Sequence, residues 1–148
     1  MAQVFHGPRR ARPGPAAALI ALLVLLALPG LPGCGGGPTI HLADGQRATD
    51  GGRADVSAAT TTVVELVEYA FQPAVLTGRP GQRLTITLSN QGNALHDFRL
   101  ASQHLDVNAE QAVPVTVTVT FPASGAVTFE CRYHLLQHMR GELVARPG

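Results

Sequence analysis

The chain has no lysine, and Asp, Glu and Arg together supply only 14% of its 148 residues. Charge this sparse, with a formal net value of +1, excludes a polybasic nucleic-acid binder and a charge-rich disordered chain. What basic excess exists sits at one end. Arg9, Arg10 and Arg12 precede the hydrophobic segment, and from Cys34 onward 8 Arg face 10 acidic residues, a balance of −2. Cysteine is nearly absent: Cys34 and Cys131 allow at most one disulfide, which excludes a disulfide-built scaffold. Long apolar runs are missing too. Ala16 to Leu28 is unbroken for 13 residues, short of the roughly 20 that cross a bilayer. No segment sustains the roughly 12 residues of helical periodicity that would indicate a helix. At this length a single domain is expected.

The apolar run has the length of a secretory signal core and follows a positively charged stretch. After it, Pro29-Gly30-Leu31-Pro32-Gly33-Cys34 resembles a bacterial lipoprotein signal, with Leu31 at −3, Gly33 at −1 and Cys34 as the residue that would receive the lipid. The other two readings are an uncleaved anchor and cleavage by an ordinary signal peptidase. All three send the rest of the chain outside the cytoplasm, to the periplasm or the outer face of a bacterial membrane. Residues 1–33 are thus expected to be an address. Residues 34–60 hold six glycines, with Ile40, Leu42 and Val56 as the only large apolar residues. Such a segment buries too little to offset its ordering entropy, and it reads as a flexible tether, with His41 a solvated histidine.

From Thr61 the pattern becomes period two and β-branched. Val115-Thr116-Val117-Thr118-Val119-Thr120-Phe121 sets valines on one face and threonines on the other, and Leu84-Thr85-Ile86-Thr87-Leu88 repeats the alternation. Val63 to Tyr69, Ala74 to Thr77, Asp97 to Leu100, Ala126 to Cys131 and Gly141 to Ala145 complete about seven strands. Arg79-Pro80-Gly81, Asn90-Gln91-Gly92-Asn93 and Pro122-Ala123-Ser124-Gly125 mark turns between them. Ala101 to Ala112 reads as a short helix or an irregular loop. The spacing predicts an all-β Greek-key sandwich or small barrel of about seven to eight strands over residues 61–148.

Cys131 is the only thiol of that domain. It ends a strand and opens Cys131-Arg132-Tyr133-His134-Leu135-Leu136-Gln137-His138-Met139, which is C-x2-H-x4-M. A second imidazole, His96, opens another strand directly after the Asn-Gly turn. Two imidazoles and a thiolate with a weak axial Met are the ligands of a blue-copper site. Thiolate and thioether favour Cu(I), imidazole accepts both oxidation states, and a fixed compromise geometry moves little when an electron does.

On these residues the sequence resembles the cupredoxins of the plastocyanin and pseudoazurin branch. The likeness runs from Val63 to the C-terminus through Phe71-Gln72-Pro73, Arg79-Pro80-Gly81-Gln82, Leu84 to Asn90, His96-Asp97-Phe98, Cys131, His134, Met139 and Gly141. It implies that His96, Cys131 and His134 bind one copper strongly, with Met139 the distant axial ligand. It also implies that single electrons pass through the His134 edge, with Leu135, Leu136 and Met139 as an apolar docking patch for transient redox partners. Where the family has Asn and a small residue tying its ligand segments together, this chain has Asp97 and Arg132, and a bidentate ion pair between them is expected to replace the tie. Tyr133 stands where proline often precedes the second histidine, and His138 where glycine often precedes the methionine.

Three other readings stay open on the residues alone. His138 with His96, His134 and Cys131 would make a closed zinc set. The same ligands would suit a protein that carries Cu(I) without redox cycling. A metal-free interaction module would show the same strands. His104 is expected to be exposed. Nothing resembles a phosphate loop or a nucleophile elbow, so no enzyme, no small-molecule substrate and no nucleic-acid partner are expected.

Overall fold

The computed structural model describes residues 37–147. Residues 1–36, with the signal and the Cys34 lipidation site expected from the sequence, lie outside them. Twelve strands follow in order: β1 Thr39–His41, β2 Arg47–Thr49, β3 Arg53–Asp55, β4 Thr61–Val67, β5 Ala70–Gln72, β6 Val75–Gly78, β7 Arg83–Asn90, β8 His96–Leu100, β9 Leu105–Ala109, β10 Val115–Thr120, β11 Gly125–Glu130 and β12 Arg140–Ala145.

Period-two sequence makes the layers. In β7, Leu84, Ile86 and Leu88 are buried while Thr85 and Thr87 between them are not, and β10 buries Val117 and Val119 while exposing its threonines. Side chains alternate across a strand, so each of these strands offers one apolar face. A four-stranded sheet, β10-β7-β4-β5, and a six-stranded sheet, β3-β6-β12-β11-β8-β9, share one core. Val64, Leu66, Leu84, Ile86 and Leu88 come from the first, and Leu76, Phe98, Leu100, Phe129 and Leu143 from the second. Parallel pairing of β4 with β7 and of β6 with β12, among otherwise largely antiparallel strands, gives the crossed order of a Greek-key sandwich. The all-β expectation stands.

The tether reading of residues 34–60 is corrected from residue 39 onward. β1 and β2 form an antiparallel hairpin, and β3 pairs in parallel with β6 at the edge of the larger sheet. Leu42, Ala48 and Val56 are buried. The glycines misled because they serve contact rather than freedom. A Cβ at Gly51 would collide with the Phe71 backbone carbonyl, and Gly52 has φ +84°, a region that costs other residues. The segment from Ala101 to Ala112 is a short helix only at its start, and most of the rest is strand. A single 3-10 turn, Ala101–Gln103, leads into β9, which pairs along its whole length with β8.

Candidate metal centre

Two neighbouring strands of the larger sheet deliver the chemistry. His96 is the first residue of β8, and Cys131 directly follows β11. Alternation puts Phe98 two residues after His96 and Phe129 two before Cys131 into the core. Their rings stack with centroids 4.9 Å apart, and Phe71 meets Phe129 edge-on at 5.0 Å. This aromatic floor fixes the spacing of the strands that carry the two ligands. His134 ends a 3-10 turn that begins after Cys131, and its N–H donates to the Cys131 carbonyl at 3.1 Å.

Cys131 Sγ lies 3.9 Å from His96 Nδ1 and 3.4 Å from His134 Nδ1. One ligand atom from each of the three residues falls within 4.8 Å of the others. A single first-row ion at ~2.3 Å from sulfur and ~2.0 Å from imidazole nitrogen holds sulfur and nitrogen about 3.5–3.7 Å apart at tetrahedral to trigonal angles, and the two separations of Cys131 Sγ from the histidines bracket that range, so the set fits one metal. His96 and Cys131 are fully buried and His134 partly so. Met139 is also fully buried. Its carbonyl accepts the Cys131 N–H at 3.0 Å and its N–H donates to the His134 carbonyl at 3.2 Å, which closes the loop on itself.

Burial, with the charge of His134 adding to it, holds the His96 imidazole down to about 4. Burial likewise lowers His134, and it pushes the Cys131 thiol up to about 11. The imidazoles are therefore neutral and ready to donate at pH 7, while a metal must displace the thiol proton.

Asp97 ties the two ligand segments. Its Oδ1 accepts the Arg132 backbone N–H at 2.8 Å, and its own N–H points at Cys131 Sγ at 3.5 Å. The expected ion pair takes a different form from a bidentate one. Arg132 Nε sits 3.4 Å from Asp97 Oδ2, while the guanidinium hydrogen-bonds to Asp106 Oδ2 at 2.9 Å, Asn108 Oδ1 at 3.1 Å and the Tyr133 hydroxyl at 3.0 Å. β9 supplies Asp106 and Asn108.

The zinc set is not assembled: His138 is not among the side chains that converge, and its backbone takes φ +60°. Leu136 is 90% exposed and Leu135 partly buried, whereas Met139 is sealed and adds nothing to a docking patch. His104 is exposed. Tyr69 was not legible beforehand. It caps the β4–β5 hairpin at φ +67° with its ring edge-on to His134, centroids 4.9 Å apart, and no turn residue marks that position.

A family profile described as a cupredoxin-like domain matches residues 41–145. No curated protein sequence matches the chain. Auracyanin from the photosynthetic bacterium Roseiflexus castenholzii, reduced with dithionite, is similar in structure at a TM-score of 0.51 and 20% identity, over 60% of this chain and 98% of that one. Auracyanin B gives 0.50 and 19% over 60% and 90%. Auracyanin A of Chloroflexus aurantiacus, a "blue" copper protein, gives 0.45 and 22% over 58% and 99%. The profile match spans most of the described residues and takes in β8, the ligand loop and both sheets, so this chain belongs to the cupredoxin-like domain family.

Proposed function

We propose that the protein is a mononuclear type 1 copper protein that passes single electrons between redox partners outside the cytoplasm, a carrier rather than an enzyme. The observation that carries this is the convergence of Cys131 Sγ with one ring nitrogen each of His96 and His134 within 4.8 Å, with buried Met139 closing the loop. Copper held there supplies a one-electron couple. The chain's own part is rigidity: His96 and Cys131 stand on paired strands over a phenylalanine floor, so the donors keep one geometry in both oxidation states. His134 is the partly exposed ligand and offers the way out for the electron. Beside it, Leu136 gives a small apolar contact suited to brief encounters, since redox complexes bury little surface.

Attachment to a membrane through Cys34 is part of the proposal and rests on the sequence. No helix among the described residues is long and apolar enough to cross a membrane.

The test is the visible absorption of the full chain titrated with Cu(II), beside Cys131→Ser. An intense blue band that saturates at one equivalent and is lost in the variant supports the reading. Tight, colourless Cu(I) binding without reversible oxidation would replace it with a Cu(I) carrier. Failure to bind any metal would leave an interaction module.

A further inference from the structure

The hairpin β1–β2 touches the ligand loop where that loop is under strain. Two bonds seat the hairpin on the larger sheet. The Ala43 N–H donates to Glu142 Oε2 at 2.8 Å, and the Thr128 hydroxyl donates to Asp44 Oδ2 at 2.7 Å. At the end of β2, Thr49 is 7% exposed and donates twice to the loop. Its N–H reaches the His138 carbonyl at 2.9 Å and its hydroxyl the Gln137 carbonyl at 3.1 Å. Arg140 Nη1 holds the Leu135 carbonyl at 3.1 Å. Between these fixed points His138 takes φ +60°, a region that a non-glycine residue keeps only when its surroundings impose it. Met139 is the next residue. Any relaxation at His138 passes to Met139, and through the Met139 carbonyl to the Cys131 N–H it accepts.

We propose that Thr49 is a positioning residue for Met139. Hairpin β1–β2 clamps the Gln137 and His138 carbonyls, fixes how far the Met139 side chain reaches toward His96, Cys131 and His134, and so sets the strength of axial ligation and the reduction potential. The clamp's effect on potential rests on the type 1 copper reading above; its effect on the loop does not.

Thr49→Val removes the donor hydroxyl and keeps the branched shape and the N–H. In the metal-free full chain, amide hydrogen exchange at Cys131 and Met139 should speed up about tenfold while Ile86 in β7 is unchanged, as a local opening requires. In the copper-loaded chain, affinity should fall about tenfold. The potential should rise, because a weaker axial donor disfavours Cu(II). Thr49→Ser, which restores the hydroxyl, should behave like the parent. Parent-like exchange, spectrum and potential in Thr49→Val would overturn the proposal. If Ile86 exchange also rises, the variant has lost global stability. Asp44→Ala then takes its place: it frees the hairpin from Thr128 without touching the loop carbonyls and should raise the potential too, and an unshifted potential overturns the clamp. If the parent chain takes up no Cu(II), the type 1 reading fails, and the exchange comparison alone decides whether Thr49 holds the loop.

Discussion

Asp97 shows how much one side chain can carry. Burial raises its carboxyl pKa, against the lowering by its hydrogen bonds and by Arg132. Arg132 is 40% exposed and is shared with Asp106, so solvent screens its attraction. The acceptor oxygen therefore matters more than the charge. Asp97→Ala leaves the Arg132 N–H without its partner and is expected to cost about 1–3 kcal/mol, read from the urea midpoint. Asp97→Asn keeps an oxygen there and should cost less than half as much. Equal losses would show that the charge holds the segments together. The sequence marked Asp97 and Arg132 as partners because both depart from the family pattern. That the bond falls on the Arg132 backbone, leaving the guanidinium for β9, depends on where β9 lies, and no local pattern encodes that.

At the scale of elements, the strands that carry the candidate ligands are held by close cross-strand fits. Gly141 of β12 sits opposite Phe129 of β11, and a Cβ there would collide with the Phe129 ring and with the Ala74 carbonyl. Neither can yield, since Phe129 belongs to the aromatic floor and the Ala74 carbonyl already accepts the Glu142 N–H at 2.9 Å. Gly141→Ala should therefore cost about 2 kcal/mol, within the range for overpacking. Because β12 begins one residue after Met139, it should also weaken copper binding. An unchanged melting temperature would show that the larger sheet absorbs the methyl group. Long alternating strands such as β7 and β10 were legible because each spans several periods. β1, β2, β3 and β5 were not, because three residues carry no periodicity and their stability comes from neighbours far along the chain.

For the whole molecule, the buried His96 and Cys131 set a pH window in the metal-free state. His96 is depressed from 6.5 to about 4, so between those values the unfolded chain binds a proton that the native one refuses. Stability then falls as pH drops, by on the order of 3 kcal/mol across the window. Asp97, raised above 3.8, binds its proton more readily when folded and offsets part of that loss. Cys131, raised from 9 to about 11, keeps its proton when folded, so stability falls again as pH climbs through that range. Urea midpoints of the metal-free chain should form a plateau between about pH 6.5 and 9, and a profile flat down to pH 4 would contradict the burial of His96. Leu136→Asp should slow exchange of electrons with a partner and leave the copper spectrum intact, measured by stopped flow; unchanged rates would remove Leu136 from the docking face. The sequence by itself determined the all-β class and pointed to Cys131, His134 and Met139 as candidate ligands, because period-two strands and the C-x2-H-x4-M spacing are local properties of the chain. Only the tertiary structure decided that residues 39–56 belong to the domain, that Met139 is sealed away from the surface and that Thr49 grips the loop. Each of these rests on contacts between segments far apart in sequence, where a three-residue strand or a single hydroxyl acquires its meaning from what folds against it.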